Sequence, residues 1–248
     1  MDRSLSISWY NLPANSREAY LQWLHGGFMA KLARRPGVLW AAHYEVQKYE
    51  IPARIRPTAD PAVQKGNDYV LILGAANSHV FSKPLDSFVK GGAAADEADI
   101  SDEDRKMLAL RTDERTSIMT EEARVNGPEI KTRPDGGAPA PCIQLGSFNG
   151  NDQAAEEELL AWYARWRMPA LGKLPGCVAL RKMVSVTGWA KHGVMYEFTS
   201  FDVRNAAMKE MSGLYPDMTA WTERFIPHLT HAHGSPVIGV RLWPAAGN

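Results

Sequence analysis

Seven histidines and eight tryptophans carry most of the chemistry this chain can offer. His25 stands before Gly26-Gly27 near the middle of an apolar-periodic stretch. An imidazole titrates near neutral pH and passes a proton to or from a substrate without any cofactor. The plainer role for His25 is a helix histidine hydrogen-bonded to backbone. Downstream, Val38, Trp40, Ala42 and Tyr44 alternate with Leu39, Ala41, His43 and Glu45. In a strand that pattern puts His43 and Tyr44 on opposite faces, so only one of them can meet a given cavity. Tyr44 can donate to a carbonyl or phenolate, and His43 can act in the site or pair with Glu45 at a solvated edge. Arg181, on an otherwise apolar stretch, either binds an anionic substrate group or pairs with a carboxylate such as Glu197. Trp9, Trp23 and Trp40, with Trp162 and Trp166, offer flat apolar surface to an aromatic substrate, and equally an ordinary core.

Other chemistries lack residues. His228, His231 and His233 form a loose histidine cluster without an H-E-x-x-H arrangement, and histidines near a helix end answer its dipole, so no metal is expected. No G-x-G-x-x-G, Walker loop or G-x-S-x-G occurs, so no nucleotide cofactor or serine nucleophile is expected either. Lys plus Arg and Asp plus Glu number 28 each, leaving no surplus charge for nucleic acid. No apolar run is long enough to span a membrane, and the first ten residues lack the basic and apolar regions of a signal peptide, which reads as cytoplasmic. Cys142 and Cys177 form no C-x-x-C and are expected as small core residues.

The elements that would position these residues come in two copies. An offset of 139 sets Trp9 on Phe148, Glu18 on Glu157, Leu21 on Leu160, Trp23 on Trp162, Met29 on Met168, Leu32 on Leu171 and Pro36-Gly37 on Pro175-Gly176. Internal repeats of this kind define a fold before any single element does. Each copy reads as strand, helix, strand, strand, helix, strand: residues 4–10, 17–35, 38–49, 69–74, 82–89 and 116–125 in the first, and 143–148, 154–174, 177–186, 194–199, 203–211 and 237–243 in the second. This is the ferredoxin-like order. The expected fold is α+β, two tandem units at 1–135 and 141–248 whose sheets bury their bare faces against each other. Insertions at 48–68 and 91–114 mark the first copy. The former, with Pro52, Pro57 and Pro61, is expected to reach over a cavity mouth or clasp a second chain, and the pseudo-dimeric chain could itself pair as a homodimer.

The stretch from Trp23 through His25-Gly26 to Pro36-Gly37 resembles the EthD-like group of dimeric α+β barrel proteins, and Trp162 to Pro175-Gly176 is similar with Ala164 in place of the histidine. The resemblance implies a barrel usually built from two chains, here from two halves of one. Its relatives include cofactor-free monooxygenases, cyclases, decarboxylases, dehydratases and haem-degrading proteins. Loss of the histidine at Ala164 implies that one half keeps the chemistry and the other becomes scaffold or pocket wall. The expectation is therefore a cofactor-independent enzyme acting on a hydrophobic, aromatic or polyketide-like small molecule by proton transfer through His25, as a lyase, dehydratase, cyclase or isomerase. The alternatives are a cofactor-free monooxygenase of the same superfamily or a non-catalytic binding module.

Overall fold

The computed structural model describes residues 1–81, 100–134 and 136–245. The expected helix at 82–89 and residues 91–99 of the second insertion lie outside them. Eight strands form a closed antiparallel barrel: β1 (Ser4–Asn11), β2 (Val38–Val46), β4 (Tyr69–Ala75) and β5 (Thr112–Asn126) from the first half, and β6 (Cys142–Gly150), β7 (Cys177–Thr187), β8 (His192–Phe198) and β10 (Val237–Trp243) from the second. The order is β2-β4-β1-β5 in one half and β7-β8-β6-β10 in the other, with seams at β5–β7 and β10–β2. The residues alone suggest two sheets stacked face to face, and the resemblance implies a barrel made from the two halves of one chain. Closure through the fourth strands does more, because it leaves no barrel edge unpaired.

Alternation along the strands divides the apolar side chains. Ile7, Trp9, Trp40, Tyr44, Met183 and Met195 belong to one buried cluster drawn from both halves, the barrel interior. The opposite faces lie under helices. Tyr10, Leu71 and Leu73 pack with Leu24, Phe28 and Leu32, and Leu180, Tyr196 and Phe198 pack with Leu159, Trp162 and Leu171.

Those helices share a detail. The first, α1, runs Arg17–Trp23, widens through a π turn at Leu24–Phe28 and continues as Met29–Ala33. After α2 (Asp102–Leu108), α3 runs Gln153–Trp162, widens at Tyr163–Arg167 and ends as Met168–Leu171. The π turns stand 139 residues apart, and π turns inside α-helices often accompany functional sites. Each helix passes into its second strand through Pro-Gly, with Gly37 at φ +86° and Gly176 at φ +80°, a conformation glycine adopts without a Cβ penalty.

Three elements depart from the sequence reading. The strand expected over 38–49 stops at Val46. The 48–68 segment crosses to the second half, where β3 (Arg56–Pro57) pairs parallel with β9 (Leu229–His231), itself paired with β6. The helix expected over 203–211 is α4 (Phe201–Leu214), followed by α5 (Pro216–Phe225), whose Pro216 sits in the first turn where a missing N–H costs nothing.

One end of the barrel holds a buried ion network. Arg181 reaches Asp2 at 2.8 Å and Glu197 at 3.2 Å, and Arg133 from the linker reaches the same two carboxylates at 2.7 and 3.1 Å. Burial alone would raise the Asp2 carboxyl, but Arg181, Arg133 and Arg124 outweigh it and hold it well below the usual carboxylate range.

Candidate functional site

In the second half the outer face of the sheet and helices α3, α4 and α5 enclose a cavity of about 200 Å³. Its floor comes from the sheet: Gly146 and Phe148 on β6, Val194 and Tyr196 on β8. Trp162, Tyr163, Trp166 and Arg167, three of them in the π turn of α3, form one wall; Met208 and Met211 of α4 form another. Tyr49, Pro52, Arg54 and Ile55 of the 48–68 segment line it from the far side. The Tyr49 hydroxyl donates to the carbonyl of Pro236, and Arg54 meets Glu223 of α5 at 2.8 Å. The long proline-rich insertion thus contributes to the cavity of the other half.

The polar groups are few, as in an apolar ligand site with orienting contacts. The Arg167 Nε donates to the Tyr196 hydroxyl at 3.1 Å, and its other nitrogens face the sulfurs of Met211 and Met208 at 3.5 and 3.9 Å. No carboxylate among the described residues pairs with this guanidinium, which is only 8% exposed. Tyr196 also hydrogen-bonds Tyr163, whose phenol is pushed well up by burial and then by Tyr196 itself. Burial lowers the Arg204 guanidinium. His231, on the cavity wall, is pushed down to about 4 by burial and is neutral at pH 7.

Of the aromatic residues expected to face a substrate, Trp162 and Trp166 line this cavity, and the other residues expected from sequence fall elsewhere. His25 sits in the π turn of α1 beside a shallow surface groove with Ala14, Arg17, Glu18, Leu21 and Gln22. Its Nε2 lies 2.9 Å from His43 Nδ1, and His43 Nε2 lies 2.7 Å from the Tyr10 hydroxyl. His43 is fully buried, so the solvated pair with Glu45 does not form. Tyr44 points into the barrel and donates to the carbonyls of Pro139 and Ala140 at 3.3 and 3.2 Å. Trp9 and Trp40 fill the barrel, Trp40 donating to Asp2 at 2.9 Å. Trp23 stacks on Phe28 at 4.4 Å and donates to Asp104 at 3.0 Å. Arg181 takes the structural pairing with Glu197. None of these seven lines the second-half cavity. That cavity forms in the half where Ala164 replaces the histidine, the half assigned by the resemblance to scaffold or wall.

Arg167 escaped the sequence reading because an arginine in a helix usually faces solvent. A signal was present: the offset of 139 sets Arg167 on Phe28, so a charge occupies a core position. No group of three or more metal-ligating side chains occurs among the described residues. His231 Nδ1 is buried with no hydrogen-bond partner among the described residues. Cys142 and Cys177 are buried, their thiols raised to about 12 by burial.

No protein-family model matches the chain, and no curated protein matches it. Solved structures do. A Fusobacterium nucleatum protein assigned as a monooxygenase is 7% identical with a TM-score of 0.60, over 97% of this chain and 93% of that one. An anthrone oxidase-like protein is 10% identical with a TM-score of 0.57, over 97% and 91%. A protein assigned as a chlorite dismutase is 10% identical with a TM-score of 0.55, over 98% and 95%. Identity this low speaks for architecture and not for activity. The chain is therefore similar in fold to monooxygenase-type and chlorite dismutase-like α+β proteins, with a closed eight-stranded antiparallel barrel as the common frame.

Proposed function

We propose that the chain is a cofactor-independent oxygenase of an ionisable aromatic small molecule held in the second-half cavity. The observation that carries this reading is Arg167, a buried guanidinium with neutral partners only, set among Trp162, Tyr163, Trp166 and Tyr196. A cation in a water-poor pocket favours the ionised form of a bound phenol or activated methylene, and the proton passes to solvent. The carbanion of such a substrate reacts with O2 at carbon to give a peroxide. Loss of water from the peroxide leaves a carbonyl, so one substrate and one O2 give one oxidised product and one water, and no external reductant is required. The ring walls orient the substrate, and the Tyr196 hydroxyl, fixed by Arg167, stands beside the developing charge. The oxygenase assignments of structural neighbours accord with this choice over a lyase.

The test is oxygen uptake with anthrone as substrate. One O2 should be consumed per quinone formed, without hydrogen peroxide, and Arg167→Met should slow the reaction by about a hundredfold or more. Turnover without oxygen, or an unchanged rate in the variant, rejects the reading.

A second reading rests on the His25–His43–Tyr10 chain, which could move a proton for a substrate in the groove beside His25. The finer account of the fold, a tandem duplication of one ferredoxin-like unit with an EthD-like first helix, is also our inference. The shared strand order, the π turns 139 residues apart and the paired Pro-Gly turns support it.

A further inference from the structure

Charge balance in the cavity narrows its ligand. The lining contains three guanidiniums, Arg54, Arg167 and Arg204, against the single carboxylate of Glu223. Arg54 and Glu223 pair with each other. The remaining two have neutral partners: Arg167 as described, and Arg204, which donates from Nε at 3.0 Å and from Nη2 to the side-chain carbonyl oxygen of Gln144 and from Nη1 to that of Asn205 at 2.9 Å. Nearby carboxylates are already engaged, Glu122 with Lys182 and Glu158 with Trp221 and Arg224. Elsewhere in the chain, buried Arg181, Arg133 and Arg111 each have a carboxylate partner. Arg115 has none among the described residues but lies on the face of Trp9, 3.7 Å from the ring centroid, outside the cavity lining.

A guanidinium withdrawn from water without a counter-charge is costly, and a fork of parallel N–H donors matches a carboxylate better than any neutral group. Arg167 is 8% exposed and Arg204 half-buried, and two cations without a carboxylate partner on the wall of one cavity match a ligand that supplies negative charge twice. We propose that the cavity takes an aromatic acid, its flat body against Trp162 and Trp166, one ionised oxygen facing Arg167 and a carboxylate facing Arg204. This rests on the cavity being the substrate site. It adds Arg204 as a specificity-determining residue and names aryl carboxylates as the substrate class.

Binding can be read without turnover, from the tryptophan fluorescence of the full chain titrated with 2-naphthoate and with its neutral isostere 2-naphthamide. At pH near 7.5 the carboxylate should bind roughly tenfold or more tightly than the amide, as expected for a charge-assisted fork. Arg204→Gln should reduce that ratio to a few fold, and Arg204→Lys should retain part of it. Equal affinity for the two compounds, no binding of either, or a ratio unchanged in Arg204→Gln overturns the proposal. Should the glutamine variant fail to fold, the comparison on the unaltered protein decides. Carboxylate preference without oxygen uptake from hydroxynaphthoates sinks the oxygenase reading and leaves this one standing. Oxygen uptake with anthrone but no carboxylate preference does the reverse.

Discussion

His25 Nε2 and His43 Nδ1 lie 2.9 Å apart, linking a half-buried imidazole in the π turn of α1 to a fully buried one on β2. Burial lowers both, and His43 is lowered further by His25 and Arg111, so the pair is neutral at pH 7. At the matching positions the second half has Ala164 and Lys182, neither of which lines its cavity. If chemistry takes place in that cavity, His25→Ala should leave oxygen uptake within about threefold of the unaltered rate. A general acid or base would instead be missed by about a hundredfold. The two rates, measured on protein of matched melting temperature, separate the oxygenase from proton transfer at His25.

Acid should weaken the fold partly through His231. Its folded value of about 4 lies below the ordinary 6.5, so the unfolded chain takes up this proton first. The stabilisation is complete above pH 6.5, declines as pH falls towards about 4 and is lost below that. The depression corresponds to roughly 3 kcal/mol. Urea unfolding at pH 7 and at about pH 4.5 should show a larger loss in the unaltered protein than in His231→Phe, by roughly 2–3 kcal/mol. An equal loss would mean that His231 ionises as freely in the folded chain as in the unfolded one.

The two Pro-Gly turns are expected to tolerate a methyl group unequally. A Cβ at Gly176 would stand 2.0 Å from Val203 Cγ1, whereas at Gly37 the nearest atom is Val80 Cγ2 at 2.8 Å. Both positions also have positive φ, which costs an L-residue about 1 kcal/mol or more. Gly176→Ala should therefore lose more unfolding free energy than Gly37→Ala, with both losing at least about 1 kcal/mol. The reverse order would show that α4 yields more readily than the segment around Val80.

Removing one carboxylate from the ion network at the barrel end should be severe. Glu197 is wholly buried, bonding Arg181, Arg133 and the backbone N–H of Ala140. Glu197→Leu leaves buried guanidinium charge uncompensated and should cost about 3–5 kcal/mol. Adding Arg181→Met should recover part of that loss, because the apolar pair no longer strands one charge. Urea titrations of the single and double variants give the coupling, and additive losses would contradict the network.

Much of the frame could be read from the residues. Spacing such as Trp23 against Trp162 and Pro36-Gly37 against Pro175-Gly176 records helix faces and turns that must recur if two units pack alike. Neither seam could be read, since β5–β7 and β10–β2 pair strands whose alternation looks the same whether a sheet ends or closes. The site was less legible. Trp162, Tyr163 and Trp166 have the spacing of a packed helix face, and only the surrounding geometry shows space in front of them. The strand-forming pair Arg56-Pro57 carries no alternation at all, so its parallel pairing with β9 follows from where the chain is led, not from its local preference.

That crossing of residues 48–68 bears on whether the chain can be divided. Cut at the linker, the C-terminal fragment would lose Tyr49, Pro52, Arg54 and Ile55 from its cavity and β3 from beside β9. It would also lose both partner strands at the barrel seams. The half with the pocket is therefore not a self-sufficient module. Its cavity is completed by a segment of the first half of the same chain, so excision of either half removes part of the cavity lining.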